Sequence, residues 1–150
     1  MDTDQNEAQG LPIKFAELTE RIIGVYYAVY NELGHGFLEG VYQRAMAIAL
    51  AAEGLHIACE VPISVWFRGV NVGDFRADLV VEEKILVELK AAQALDRTHE
   101  AQVLNYLRAT RLELALLFNF GPRPQFRRIL LDNERKSIRV YPCESVVKQK

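Results

Sequence analysis

Soft metal ligands are scarce in this sequence: two cysteines, Cys59 and Cys143, and three histidines, His35, His56 and His99, are scattered over 150 residues. No CxxC or Cys/His spacing joins them, so neither a zinc site nor a disulfide framework is expected, and the thiols read as reduced, buried or incidental. Long apolar runs are missing too. Charges interrupt every hydrophobic stretch well short of the roughly 20 residues that a membrane-spanning helix needs. The first ten residues are acidic and polar, unlike a secretory signal. A soluble, cytoplasmic protein with no membrane partner is the expectation. There is no internal repeat and no low-complexity tract, which excludes a repeat array. A net charge of −2 argues against a protein that coats nucleic acid non-specifically.

The small net charge hides an asymmetry. Residues 121–150 carry eight Lys/Arg against three Asp/Glu, leaving ten against seventeen in the first 120. Arg123, Arg127, Arg128, Arg135, Lys136 and Arg139 could form a local phosphate-facing patch, or could simply solvate the outer face of terminal strands.

Half of the residues are hydrophobic, enough for one substantial core and too few residues for two domains. Residues 1–11 read as a disordered tail, 12–142 as one domain and 143–150 as a C-terminal tail. Within the domain, Phe15, Leu18, Ile22, Val25, Tyr26, Val29 and Leu33 recur at helical steps, and Gly34 supplies the stop. Tyr26, Tyr27 and Tyr30 on this helix could complete the core or offer a homodimer or partner surface. Residues 37–53 read as a second helix, ended by Gly54.

From Leu55 the pattern changes to alternation. Val61, Ile63, Val65 and Phe67 mark a strand, residues 69–73 a turn, and 74–81 and 85–90 two further strands around the polar turn 82–84. A helix over 96–110 follows, then a continuously apolar strand over 112–120 of the kind buried on both faces. Strands over 127–131 and 138–141, joined by a turn near Asn133, close the series. The order predicts an α/β (α+β) domain with a central mixed sheet flanked by helices.

The hairpin over 74–90 fixes a register. If Phe75, Ala77, Leu79 and Val81 share one face with Ile85, Val87 and Leu89, the three-residue turn pairs 80 with 86, 78 with 88 and 76 with 90. Asp78 then lies across from Glu88, with Lys90 on the same face. Like charges at that spacing destabilise a sheet unless a cation lies between them. Leu89 points into the core and leaves its backbone carbonyl near the carboxylates. An oxygen-only donor set favours Mg²⁺ or Mn²⁺ over zinc. Gln102 and Tyr106 share a face of the following helix, and Glu39 and Tyr42 a face of the second helix. His99 reads as a capping or surface residue.

Together these residues resemble the GxxExxY family of the PD-(D/E)XK nuclease-like superfamily. Gly36-x-x-Glu39-x-x-Tyr42 carries the name motif, Asp78 the superfamily aspartate, Glu88-Leu89-Lys90 the ExK element, and Gln102 with Tyr106 the QxxxY element; Ala77 stands where the superfamily name has proline. The resemblance implies a restriction-endonuclease-like core and Mg²⁺- or Mn²⁺-dependent cleavage of nucleic acid, DNA ahead of RNA. By the same analogy Asp78, Glu88, the carbonyl of Leu89 and Glu39 bind the metal. Lys90 orients the attacking water or meets the scissile phosphate, and Gln102, Tyr106 and Tyr42 position substrate or Lys90. A non-catalytic nucleic-acid- or protein-binding adaptor on the same scaffold is the alternative. A phosphoester hydrolase acting on a small nucleotide is a third reading.

Overall fold

The apolar stripe Ile22, Val25, Tyr26 and Val29 recurs at three- and four-residue steps and is buried along one side of the first helix, α1 (Ala16–Leu33). Gly34 ends it at φ 70°, donating its N–H to the carbonyl of Tyr30 at 2.8 Å, as the glycine signal predicts. In the second helix, α2 (Glu39–Ala52), Tyr42, Met46 and Leu50 stand one turn apart and are fully buried. Each such side chain contributes roughly 1.5–3 kcal/mol by leaving water. The computed structural model describes residues 15–136.

Five strands follow: β1 (Ile57–Phe67), β2 (Val70–Val81), β3 (Ile85–Lys90), β4 (Leu114–Phe120) and β5 (Pro124–Leu130). They form one sheet in chain order. Neighbours are antiparallel except β3 and β4, which run parallel. A parallel pair needs a crossover, and α3 (Arg97–Arg108) provides it. Every residue of β4 is buried, as its continuous apolar run predicts for a central strand covered on both faces. Helices α1 and α2 pack on one face, over Leu79, Val81, Ile85, Val87, Leu116 and Phe118. Helix α3 packs on the other, over Val80, Leu86, Ala115 and Leu117. The mixed sheet with helices on both faces is the architecture that the sequence predicts.

Several expectations are refined or corrected. The turn between β1 and β2 is not residues 69–73 but Arg68 and Gly69, with φ of 50° and 82°, the two-residue hairpin geometry that follows the strand twist. Gly73 lies inside β2. The strand predicted over 127–131 begins earlier, at Pro124, and a short 3₁₀ turn, Asn133–Arg135, follows it. Tyr26 is entirely buried, its hydroxyl donating to the carbonyl of Asn119, so it belongs to the core; Tyr27 is 38% exposed. Two members of the basic set are already engaged: Arg127 pairs with Glu100 at 2.9 Å, and Lys136 is buried with its ammonium on the carbonyls of Thr110 and Leu112. The expected strand over 138–141, Arg139, Cys143 and both tails lie outside the described residues; Cys59 is a free, exposed thiol.

A further correction concerns which way β2 faces. Residues two apart on a strand should share a face. Leu79 and Val81 do pack under α1 and α2, but Ala77 packs under α3, and the ring of Phe75 lies 5.6 Å from that of Tyr106 on α3. The partner strand changes side as well: Ile57 joins the α1/α2 cluster, whereas Val61, Ile63 and Val65 join the α3 cluster. Both strands switch at one rung. Cys59 pairs with Leu79 and Val61 with Ala77, while Glu60 and Asp78 between them drop out of the ladder. Glu60 has φ 54°, in the left-handed region, which rotates the chain out of phase.

Candidate functional site

Asp78 sits where β2 loses regular pairing on both sides. Towards β3 the ladder holds at 79/87, 80/86 and 81/85 and goes no further, so the predicted 80/86 pair is present and the 76/90 pair is not. At the 78/88 position, side chains take the place of backbone partners. The Asp78 N–H donates to Glu88 Oε2 at 2.9 Å, and the Leu89 N–H donates to Asp78 Oδ2 at 2.8 Å. Asp78 and Glu88 are therefore juxtaposed as the register argument predicts, through a reciprocal clasp instead of a ladder rung.

The clasp is shielded from water. Glu88 is 4% exposed and Leu89, whose side chain enters the core as expected, 1%. Burial pushes both carboxyls up, and for Glu88, lifted to about 8, the adjacent Asp78 charge adds to the effect; the amide of Asp78 and the ammonium of Lys90 oppose it. Asp78 is raised chiefly by burial, against the Leu89 amide. Glu88 is the more deeply buried of the two.

Lys90 follows at the end of β3, on the α3 side of the sheet, and its ammonium donates to Gln102 Oε1 at 3.1 Å. Tyr106, one helical turn on, is 8% exposed; burial raises its hydroxyl, and the charges of Glu88 and Asp78 raise it further. The ExK element on β3 and the QxxxY element on α3 thus meet. Helix α3 is set by Asp96, whose carboxylate accepts from the His99 N–H while His99 Nδ1 accepts from the Asp96 N–H, both at 3.1 Å. His99 has the capping role that its position suggests.

Glu39 and Tyr42 part company. Glu39 opens α2 and is exposed, yet its charge raises both Asp78 and Glu88, so it stands at the rim of the same cluster. Tyr42, expected to position substrate, is wholly buried: its hydroxyl donates to the carbonyl of Gly34 at 2.8 Å and accepts from the Phe37 N–H at 3.1 Å, and its ring stacks on Phe120 at 4.1 Å. Its observed work is to pin the turn that presents Glu39.

Three contributors escape a reading of the sequence. Gln43 donates to Glu60 Oε2 at 3.0 Å and to the carbonyl of Asp78 at 3.3 Å, tying α2 to the rung where β1 and β2 change phase. Glu60 itself adds to the negative field on Asp78. Asn119, the parallel partner of Lys90, is fully buried and grips Ala92 with both amide atoms, at 2.9 and 3.0 Å, fixing the segment after Lys90. A polar asparagine in the apolar run of β4 was the available signal for the last of these.

The donor set is oxygen-only and carries a charge excess that a hard divalent cation fits. Among the described residues no three His, Cys, Asp or Glu side chains gather into a ready-made metal cluster. A cation here would draw on Asp78, Glu88 and the Leu89 carbonyl, with water completing the shell as Mg²⁺ prefers.

A sequence model described as the PD-(D/E)XK nuclease superfamily matches residues 16–129. The solved crystal structure of SSO0001 resembles this one with a TM-score of 0.50 at 19% identity, over 74% of this chain. The match spans 58% of that protein, and at this identity the likeness is one of fold. No curated protein matches the sequence.

Proposed function

The chain belongs to the PD-(D/E)XK nuclease superfamily, and from that premise we propose that it is a metal-dependent nuclease of the GxxExxY group, hydrolysing phosphodiester bonds of nucleic acid, DNA ahead of RNA. The observation that carries this reading is the reciprocal clasp of Asp78 and Glu88 with Lys90 held beside it by Gln102. A buried carboxylate beside a half-buried one, each held by the other's strand, is costly unless the pair is protonated or met by a cation.

Asp78, Glu88 and the Leu89 carbonyl would hold Mg²⁺ or Mn²⁺, with Glu39 at the rim. The ion's chemistry is to neutralise charge on the phosphate and to lower the pKa of water. The residues of the chain do the rest. Lys90 presents a localised positive charge whose position Gln102 sets, suited to meeting a non-bridging phosphate oxygen or orienting the attacking water. Tyr106 closes the α3 side and keeps bulk water from the carboxylates, which strengthens every charge interaction inside. No side chain need form a covalent intermediate.

Purified protein incubated with single-stranded, double-stranded and flapped DNA in Mg²⁺ or Mn²⁺ should cleave at least one of them, and Asp78→Asn or Lys90→Ala should abolish cleavage with the circular dichroism spectrum unchanged. Calorimetry should show Mn²⁺ binding that Asp78→Asn removes. A protein that binds no Mn²⁺ and cuts none of these substrates would instead have the non-catalytic binding role.

A further inference from the structure

The phase change at Glu60 and Asp78 turns Val65 and Phe75 towards α3, and between them and that helix lies a groove of about 350 Å³. Its helical wall is a single stripe, Gln102, Asn105, Tyr106 and Ala109, spaced at the steps that share one face. Its floor is mostly apolar, with Phe75 43% exposed although it stands beside the core. The rings of Phe75 and Tyr106 are 5.6 Å apart and inclined at 42°, so they form an open jaw and not a closed stack. Arg108 closes the rim, its guanidinium donating to the side-chain amide oxygen Oδ1 of Asn105 at 3.2 Å.

We propose that this groove receives an unpaired nucleobase next to the scissile phosphate, making the substrate single-stranded at the point of attack. The inference rests on the nuclease reading and gives it a substrate class. Three observations commit the groove to a base. It is continuous with the candidate site: Gln102 holds Lys90 and also lines the groove, and Tyr106 feels the charges of Glu88 and Asp78 while lining it. Its size falls at the lower end of the roughly 300–1,000 Å³ typical of small-molecule sites. Its chemistry matches a heteroaromatic ring with a polar edge: an exposed phenyl face, two side-chain amides, and a cation for the neighbouring phosphate. A base within a duplex presents only its edges, whereas the floor of this groove offers a ring face. Only a base out of the stack can cover it.

Fluorescence anisotropy tests this with metal-free full-length protein and three labelled probes of equal length: an oligothymidylate, an abasic strand and a blunt duplex. Phe75→Ala should weaken oligothymidylate binding about tenfold, the loss expected for one base–aromatic stack, and leave the abasic strand unchanged because its phosphates are the same. Phe75→Trp should restore binding, which separates stacking from any effect on folding. Equal weakening of thymidylate and abasic strands, or no weakening of either, overturns the groove assignment. If Phe75→Ala does nothing while the wild-type protein still cleaves DNA, the groove is wrong and the nuclease reading stands. If wild type neither binds nor cuts any probe, both fall together.

Discussion

Asp78 and Glu88 hold each other's strands: the amide of Asp78 donates to the carboxylate of Glu88, and the carboxylate of Asp78 accepts from the residue after Glu88. This exchange lets two adjacent strands part without leaving those amides unpaired, and it fixes both carboxylates in the opening. The same contacts that end the β2–β3 ladder therefore build the candidate site.

The clasp predicts a pH dependence with a definite sign. Glu88 is raised from 4.5 to about 8. Below the lower value folded and unfolded chains both keep the proton. Between the two values the unfolded chain loses it while the folded chain retains it, so stability falls as pH rises through this window and levels off above it. In metal-free wild type, the unfolding free energy from urea denaturation should drop between pH 5.5 and 8, by an amount on the order of a few kcal/mol. Glu88→Gln keeps an acceptor for the Asp78 amide and should flatten the slope. An unchanged slope in that variant would assign the effect to another group.

Glu60 gives a second expectation, because its φ of 54° inverts the usual strand preferences. Valine normally favours a strand and glycine weakens one. Here a β-branched residue should be the worst choice. Glu60→Val is expected to cost about 2 kcal/mol, and Glu60→Gly to fall within about 0.5 kcal/mol of wild type, since glycine's relief at positive φ offsets its entropy. Thermal denaturation of the two variants checks the order. Were Glu60→Val the more stable, the phase change would not depend on this residue's backbone.

What could be read from the sequence follows from how local the signal is. The helical stripe ending at Gly34, the turn at 82–84 and the buried β4 run are all written in neighbouring residues, and each is where the spacing puts it. The approach of Asp78 to Glu88 is legible for the same reason, since a short turn fixes the register on either side. The switch of face at Glu60 is not, because a glutamate in the left-handed region looks like any other strand residue and alternation continues unbroken in letters while it reverses in space. That reversal sends Phe75 to α3. Tyr42 is ambiguous for another reason: a tyrosine one turn from a carboxylate has the same spacing whether its hydroxyl meets substrate or, as here, the chain's own Gly34 and Phe37.

Lys136 gives a third test, away from the acids. Its buried ammonium donates to the carbonyls of Thr110 and Leu112, beyond the end of α3, at 2.8 and 2.7 Å. Lys136→Met keeps the stem and removes the donors. The two carbonyls lose their partner, and the variant should be destabilised by about 2 kcal/mol. A denaturation midpoint matching wild type would mean that water replaces the ammonium without loss.

Gly121 couples stability to the site. A Cβ there would come within 2.2 Å of the carbonyl oxygen of Ala92 and 2.7 Å of Asn119 Nδ2, the two groups that clamp the segment after Lys90. Backbone cannot yield as a flexible side-chain tip can, so Gly121→Ala should cost about 2–3 kcal/mol. The displaced segment begins at the residue after Lys90, and a shift of about 1 Å in a positioned group can cost on the order of 100-fold in rate. Cleavage should therefore fall even at temperatures where the variant is folded. Gly24→Ala is the matched control: it lies in α1 with no atom within 4 Å of the new Cβ, and should stabilise by up to about 1 kcal/mol with cleavage unchanged. A Gly121→Ala protein with wild-type kcat would show that the clamp on Ala92 does not set the position of Lys90.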